Sequence, residues 1–83
     1  MTNEEFNQKF NEVLGVFADK PAAEIHETAR LREDIGLDEL DVVEFIMTLE
    51  EEFEIVLSEE KSGECETVGD FRELVLKEAV VAA

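Results

Sequence analysis

With 83 residues the chain has room for one domain and one hydrophobic core, and too little mass to enclose a large substrate cleft. Its 23 acids against 7 lysines and arginines give a net charge of -16, which repels nucleic-acid phosphates and anionic membranes and attracts basic protein surfaces. An apolar fraction of 45% argues against disorder, and the single cysteine, Cys65, excludes an intramolecular disulfide.

Phe6, Phe10, Val13, Leu14 and Phe17 recur at helical spacing among Glu4, Glu5, Lys9 and Glu12, which predicts a first helix with one buried face. Thr2 or Asn3 caps its start, Glu5 completes a capping box with Thr2, and Asp19-Lys20-Pro21 ends it. Residues 21–38 read as a long structured loop with a short turn of helix near Ala22 to His26. In that loop Ile25, Leu31, Ile35 and Leu37 reach the core, while Arg30, Arg32, Glu33 and Asp34 stay wet and Gly36 marks a sharp turn.

A second helix follows Asp38, whose side chain accepts from the amide of Leu40 or Asp41, and it runs to about Glu52. Steps of about 100° per residue place Val42, Phe45, Ile46, Leu49 and Phe53 in one stripe. Leu40, Val43 and Met47 form a second stripe well away from the first, with Glu44 and Glu51 beyond it. One stripe is enough to fasten a helix to a small core. The second is spare.

Glu54 to Leu57 packs as extended chain or leads into a short third helix around Glu59 to Lys61, with Ser62 and Gly63 breaking the pattern. The last helix starts at Thr67, with Asp70 as a variant capping-box partner and Val68, Phe71, Leu74 and Val75 as its apolar positions. Gly69 is a poor residue so early in a helix, and the tail from Ala79 to Ala83 frays or extends the last turn.

No catalytic constellation assembles from these residues. His26 has no second His or Cys nearby and reads as a loop residue, and Cys65 as a small, partly buried side chain near the last helix. The acids Glu50, Glu51, Glu52, Glu54, Glu59 and Glu60 lack calcium-loop spacing, so no dedicated metal site is expected. Phe6, Phe10, Val42, Ile46, Leu49, Phe53, Phe71 and Leu74 read as static core packing. A basic leader and a membrane-length apolar run are both missing, so the expectation is a cytoplasmic, monomeric protein that is not an enzyme and does not insert into membranes.

The stretch LREDIGLDELDVVEFIMTLEEEFEIVLSEE, Leu31 to Glu60, closely resembles the acyl carrier protein family, and so does the later ETVGDFRELV. Together with the amphipathic first helix and long loop, the resemblance covers nearly the whole chain. It implies an all-α fold: a four-helix bundle with a long loop between the first two helices and a short third helix. It also implies a serine, in the run D-S-L at the start of the second helix, that carries 4'-phosphopantetheine. The thiol of that arm holds acyl intermediates of fatty-acid or related thioester metabolism. The second helix is the family's main docking surface for basic patches on synthases and acyl-transfer enzymes, the phosphopantetheinyl transferase among them.

Residue by residue, Asp38 matches the aspartate before the serine. Leu40, Asp41, Val43, Glu44, Met47 and Glu50 match partner-facing positions, and Glu51 is given a docking role beside them. Glu39 stands in the serine's place. A serine hydroxyl forms a stable phosphodiester, whereas a carboxylate would form an acyl phosphate anhydride that hydrolyses readily. Ser58 and Ser62 fall outside the motif. The expectation is therefore a carrier-like docking protein with no cofactor in this form, in which Glu39 sets a negative charge at a helix start that welcomes an anion. Two other readings stay open: a functional carrier whose serine was replaced at residue 39, and an acidic adaptor or inhibitor that imitates nucleic acid.

Overall fold

A short polar side chain takes up orphan amides at each helix start. Thr2 Oγ1 accepts from the Glu5 amide at 3.2 Å, and Glu5 returns the bond to the Thr2 amide. Asp38 and Asp41 exchange the same pair at 2.8 and 3.2 Å. Thr67 and Asp70 do so at 3.1 Å each, and Ser58 Oγ accepts from the Lys61 amide. Such caps each contribute about 1 kcal/mol. They begin α1 (Asn3–Ala18), α2 (Glu39–Phe53), α4 (Val68–Glu78) and the short α3 (Glu59–Gly63).

The computed structural model describes residues 2–79, an all-α fold of four helices with a long loop between the first two. That loop carries a single 3-10 turn at Ala22–Glu24, where a short helical turn was expected, and Gly36 bends it at φ 90°. Among the described residues there is no strand, only an isolated bridge between Arg30 and Thr67. No helix of the described residues is long and apolar enough to cross a membrane.

All six phenylalanines join in one chain of rings. Phe53 meets Phe6 at 5.1 Å, Phe6 meets Phe10, and Phe10, Phe17 and Phe71 each approach Phe45 at 6.1, 5.7 and 5.6 Å between centroids. Leu14, Leu31, Leu37, Leu49, Leu57, Val68 and Val75 fill the space around them. Each fully buried ring or branched side chain stabilises the fold by about 1.5–3 kcal/mol. Val42 and Ile46, expected inside, are only half-buried because they flank the inward stripe of Phe45, Leu49 and Phe53.

Residues 27–31 run as a strap along the start of α4. The Leu31 amide donates to Glu66 O, while the amides of Val68 and Gly69 donate to Ala29 O and Glu27 O at 3.0 and 2.9 Å. Two of the orphan donors of α4 are thus satisfied by the loop. Gly69 is explained by the same contact, since a Cβ there would lie 3.2 Å from Glu27 O. Arg72 locks the strap to α1: its Nη1 and Nη2 donate to Oδ1 of Asn7 and Asn11, and its guanidinium lies 4.5 Å from the Phe10 ring centre. Its Nε sits 2.6 Å from Glu27 Oε1, an ion pair whose N–H is not aimed along a hydrogen bond.

Two local expectations need correction. Ser62 and Gly63 do not interrupt α3 but form its last turn. The Ser62 hydroxyl is buried and donates to Ser58 O at 2.8 Å, one turn back, so it leaves no polar group unsatisfied. The last helix does not extend through Ala79, where the backbone turns to φ -78°, ψ 133°; the rest of the tail expected to fray or extend it, 80–83, lies outside the described residues.

Candidate functional site

The inward stripe of α2 leaves its opposite side facing solvent. Leu40, Val43 and Met47 are 64%, 47% and 53% exposed, while Phe45 and Leu49 are sealed in the core. Glu39, the first residue of the helix, is exposed, and Glu44 and Glu51 flank the apolar line. Among the described residues no ion pair engages Glu39, Glu44 or Glu51. The face is therefore a short apolar ridge edged by carboxylates that have no cationic partner among the described residues.

Three of the remaining acids on this helix also have structural work. Asp38 and Asp41 close the capping box that starts α2. Glu50 holds the segment after the helix: its backbone oxygen accepts from the Ile55 amide, and its carboxylate accepts from the Leu57 amide at 2.9 Å. The capping role of Asp41 had a signal, an acid three residues after an N-cap aspartate. The anchoring role of Glu50 had none, because it depends on how the chain turns at Glu54, which adopts φ 54°. A further residue escaped the sequence reading. Val56 is 83% exposed between half-buried Ile55 and buried Leu57.

The nucleophile candidates lie elsewhere and are not activated. Burial pushes the Cys65 thiol above its ordinary range, and the nearby Asp70, Glu64 and Glu73 push it the same way. It lines a cleft of about 360 Å³ between α3 and α4 whose lysines, Lys61 and Lys77, pair with Glu78 and Glu73. His26 stands exposed in the loop, remote in sequence from both. No group of three or more metal-ligating side chains gathers among the described residues.

The start of α2 offers no hydroxyl. Ser58 Oγ is spent as the cap of α3, and Ser62 is buried and bonded backwards. Glu39 presents a carboxylate where a phosphodiester would need an alcohol oxygen. The residues at this position therefore do not suit a phosphate-linked prosthetic arm.

The family whose description is "Phosphopantetheine attachment site" matches residues 4–75. An acyl carrier protein of Saccharopolyspora erythraea is 38% identical over 76 residues, spanning 92% of this chain and 80% of that protein. The match runs through all four helices and the strap, so it covers the elements that build the exposed face of α2 as well as the core beneath it. On both grounds the chain belongs to the acyl carrier protein family of phosphopantetheine-attachment domains.

Proposed function

We propose that this chain acts as one acyl-carrier-like unit, residues 1–83, that docks basic partner enzymes of acyl or related thioester metabolism without itself carrying the pantetheine arm. It is not an enzyme on this reading; its work is recognition. The observation that carries the proposal is the pairing of an exposed apolar ridge, Leu40, Val43 and Met47, with a carboxylate at Glu39. A small desolvated centre inside a charged border supplies affinity, while the border supplies steering and partner selection. Asp38, Asp41, Glu44, Glu50 and Glu51 supply that border, and each exposed charge contributes mainly to encounter rate and salt dependence.

The relative from Saccharopolyspora erythraea is named a carrier, which supports thioester metabolism as the setting. Loss of loading follows from chemistry: a carboxylate esterified to a phosphate is a mixed anhydride, and water cleaves it. Intact-mass analysis after incubation with coenzyme A and a phosphopantetheinyl transferase tests this. The chain gains no mass, and the Glu39→Ser form gains one pantetheine phosphate nearly completely. A stable adduct on the unaltered chain would overturn the non-loading claim. In the Glu39→Ser background, Val43→Asp or Met47→Asp slows loading about tenfold although the net charge becomes more negative. Faster loading would mean that overall charge, not the ridge, directs binding.

A further inference from the structure

Val56 is the most exposed large apolar side chain among the described residues, at 83%. It is not held there by looseness. The chain leaves α2 through Glu54 in the left-handed region, and residues 55–57 then follow outside any helix, half-buried, exposed and buried in turn. Ile55 packs against the core and Leu57 is 6% exposed, which forces Val56 outward between them. Both flanking amides are tied to a single residue: Ile55 donates to Glu50 O at 3.0 Å and Leu57 to Glu50 Oε2 at 2.9 Å. Glu50 follows Met47 by three residues, so their side chains are neighbours on the helix surface. The segment pinned by the Glu50 carboxylate therefore lies at the Met47 end of the apolar ridge.

We infer that Val56 is a fourth apolar contact of the docking face, extending the ridge beyond the C-terminal end of α2, and that Glu50 is a positioning residue that presents it. The inference rests on the docking reading of α2. Its partner is a protein surface with an apolar depression ringed by lysine or arginine, because Val56 is followed by Ser58, Glu59 and Glu60 at the exposed start of α3. A backbone already held at both amides that flank Val56 gives up little conformational freedom on contact, so even a small apolar group contributes to affinity. The same bonds give Glu50 a role distinct from that of a rim charge: what matters is an oxygen that accepts from Leu57.

Loading of the Glu39→Ser form by a purified phosphopantetheinyl transferase provides the test, with kcat/KM measured in that background. Val56→Ser lowers kcat/KM about fivefold, chiefly through KM, the equivalent of about 1 kcal/mol for one or two methyl groups kept in water. Val56→Ile leaves it within about twofold. Glu50→Ala frees the segment and lowers kcat/KM by a similar factor, whereas Glu50→Gln keeps an acceptor oxygen for Leu57 and restores most of the loss. Unchanged efficiency for Val56→Ser overturns the inference, and so does an equal loss in Glu50→Gln and Glu50→Ala. Met47→Asp reports separately on the docking face. No loss there sinks the underlying reading, while a loss at Met47 with none at Val56 sinks only the extension.

Discussion

Replacing Arg72 by alanine removes four contacts, three to α1 and one to the strap, in one step. The guanidinium donates to Asn7 at 3.0 Å and Asn11 at 2.8 Å on α1, lies 4.5 Å from the Phe10 ring centre, and pairs with Glu27 in the strap. Each hydrogen bond contributes about 1 kcal/mol, because the released asparagines regain water. The ring contact adds about 1 kcal/mol, since the arginine side chain is only 20% exposed. The Glu27 pair adds no more than about 0.5 kcal/mol, its carboxylate side being 56% exposed and screened. The total is about 3 kcal/mol, a large part of the roughly 4–12 kcal/mol available to a chain of this size. Far-ultraviolet circular dichroism melts should show Tm lower by about 12–24 °C. The deficit should persist in high salt, because the asparagines and the ring are neutral partners. Lys61→Ala, which removes only an exposed pair to Glu78 at 3.4 Å, serves as the control and should stay within about 0.5 kcal/mol. An Arg72→Ala protein melting within about 3 °C of its parent, or a deficit abolished by salt, would refute the reasoning.

Other outcomes follow from the caps and the turns. Glu54→Gly should raise stability by about 0.5–1 kcal/mol in denaturant titrations, since φ 54° burdens a residue with a Cβ; a lower midpoint would contradict this. Gly36→Ala should lower stability by about 1 kcal/mol, because φ 90° suits glycine alone; equal midpoints would count against it. Hydrogen bonds from the Glu66 and Thr67 amides hold the Asp70 carboxyl below its ordinary range. Its folded value is thus depressed, so the stability it contributes is present above the unfolded value and lost as pH falls through the folded one. The gap in Tm between parent and Asp70→Ala should be constant near neutrality and close below about pH 4. A gap undiminished in strong acid would show that the proton linkage is misassigned. The Arg30 amide lowers Asp34 in the same way, and the Thr2 amide lowers Glu5, so the parent loses support from all three in one acid range.

The long helices were legible because their signals are local. Thr2 with Glu5, Asp38, and Thr67 with Asp70 lie within one turn of the amides they serve, and the spacing of Phe6, Phe10, Leu14, Phe45 and Leu49 states which sides turn inward. The same periodicity left Leu40, Val43 and Met47 outward, and they are exposed. What could not be read is what rests on distant partners. The strap is ordered by bonds from Leu31, Val68 and Gly69 across about forty residues, a reach that periodicity and cap rules do not span. Gly69 looked like a weak helix residue for the same reason: its neighbour is Glu27, invisible along the chain. Ser62 looked like a breaker because a hydroxyl in mid-helix is ordinarily unfavourable, yet its bond to Ser58 O and its burial reverse that. The anchoring role of Glu50 and the exposure of Val56 were missed together, since the Glu50 carboxylate holds the Leu57 amide that follows Val56.

Among the ring contacts, Phe45 alone joins α2 to rings from both of the other long helices: Phe10 and Phe17 of α1 on one side, Phe71 of α4 on the other. The helix that shows its back to the solvent is thus the hub on which the remaining elements hang. It has no low-energy way to peel off alone, because lifting it would strand rings on two neighbours at once. Its central amides should exchange with deuterium only when the whole chain comes apart, making α2 a rigid key rather than a flap.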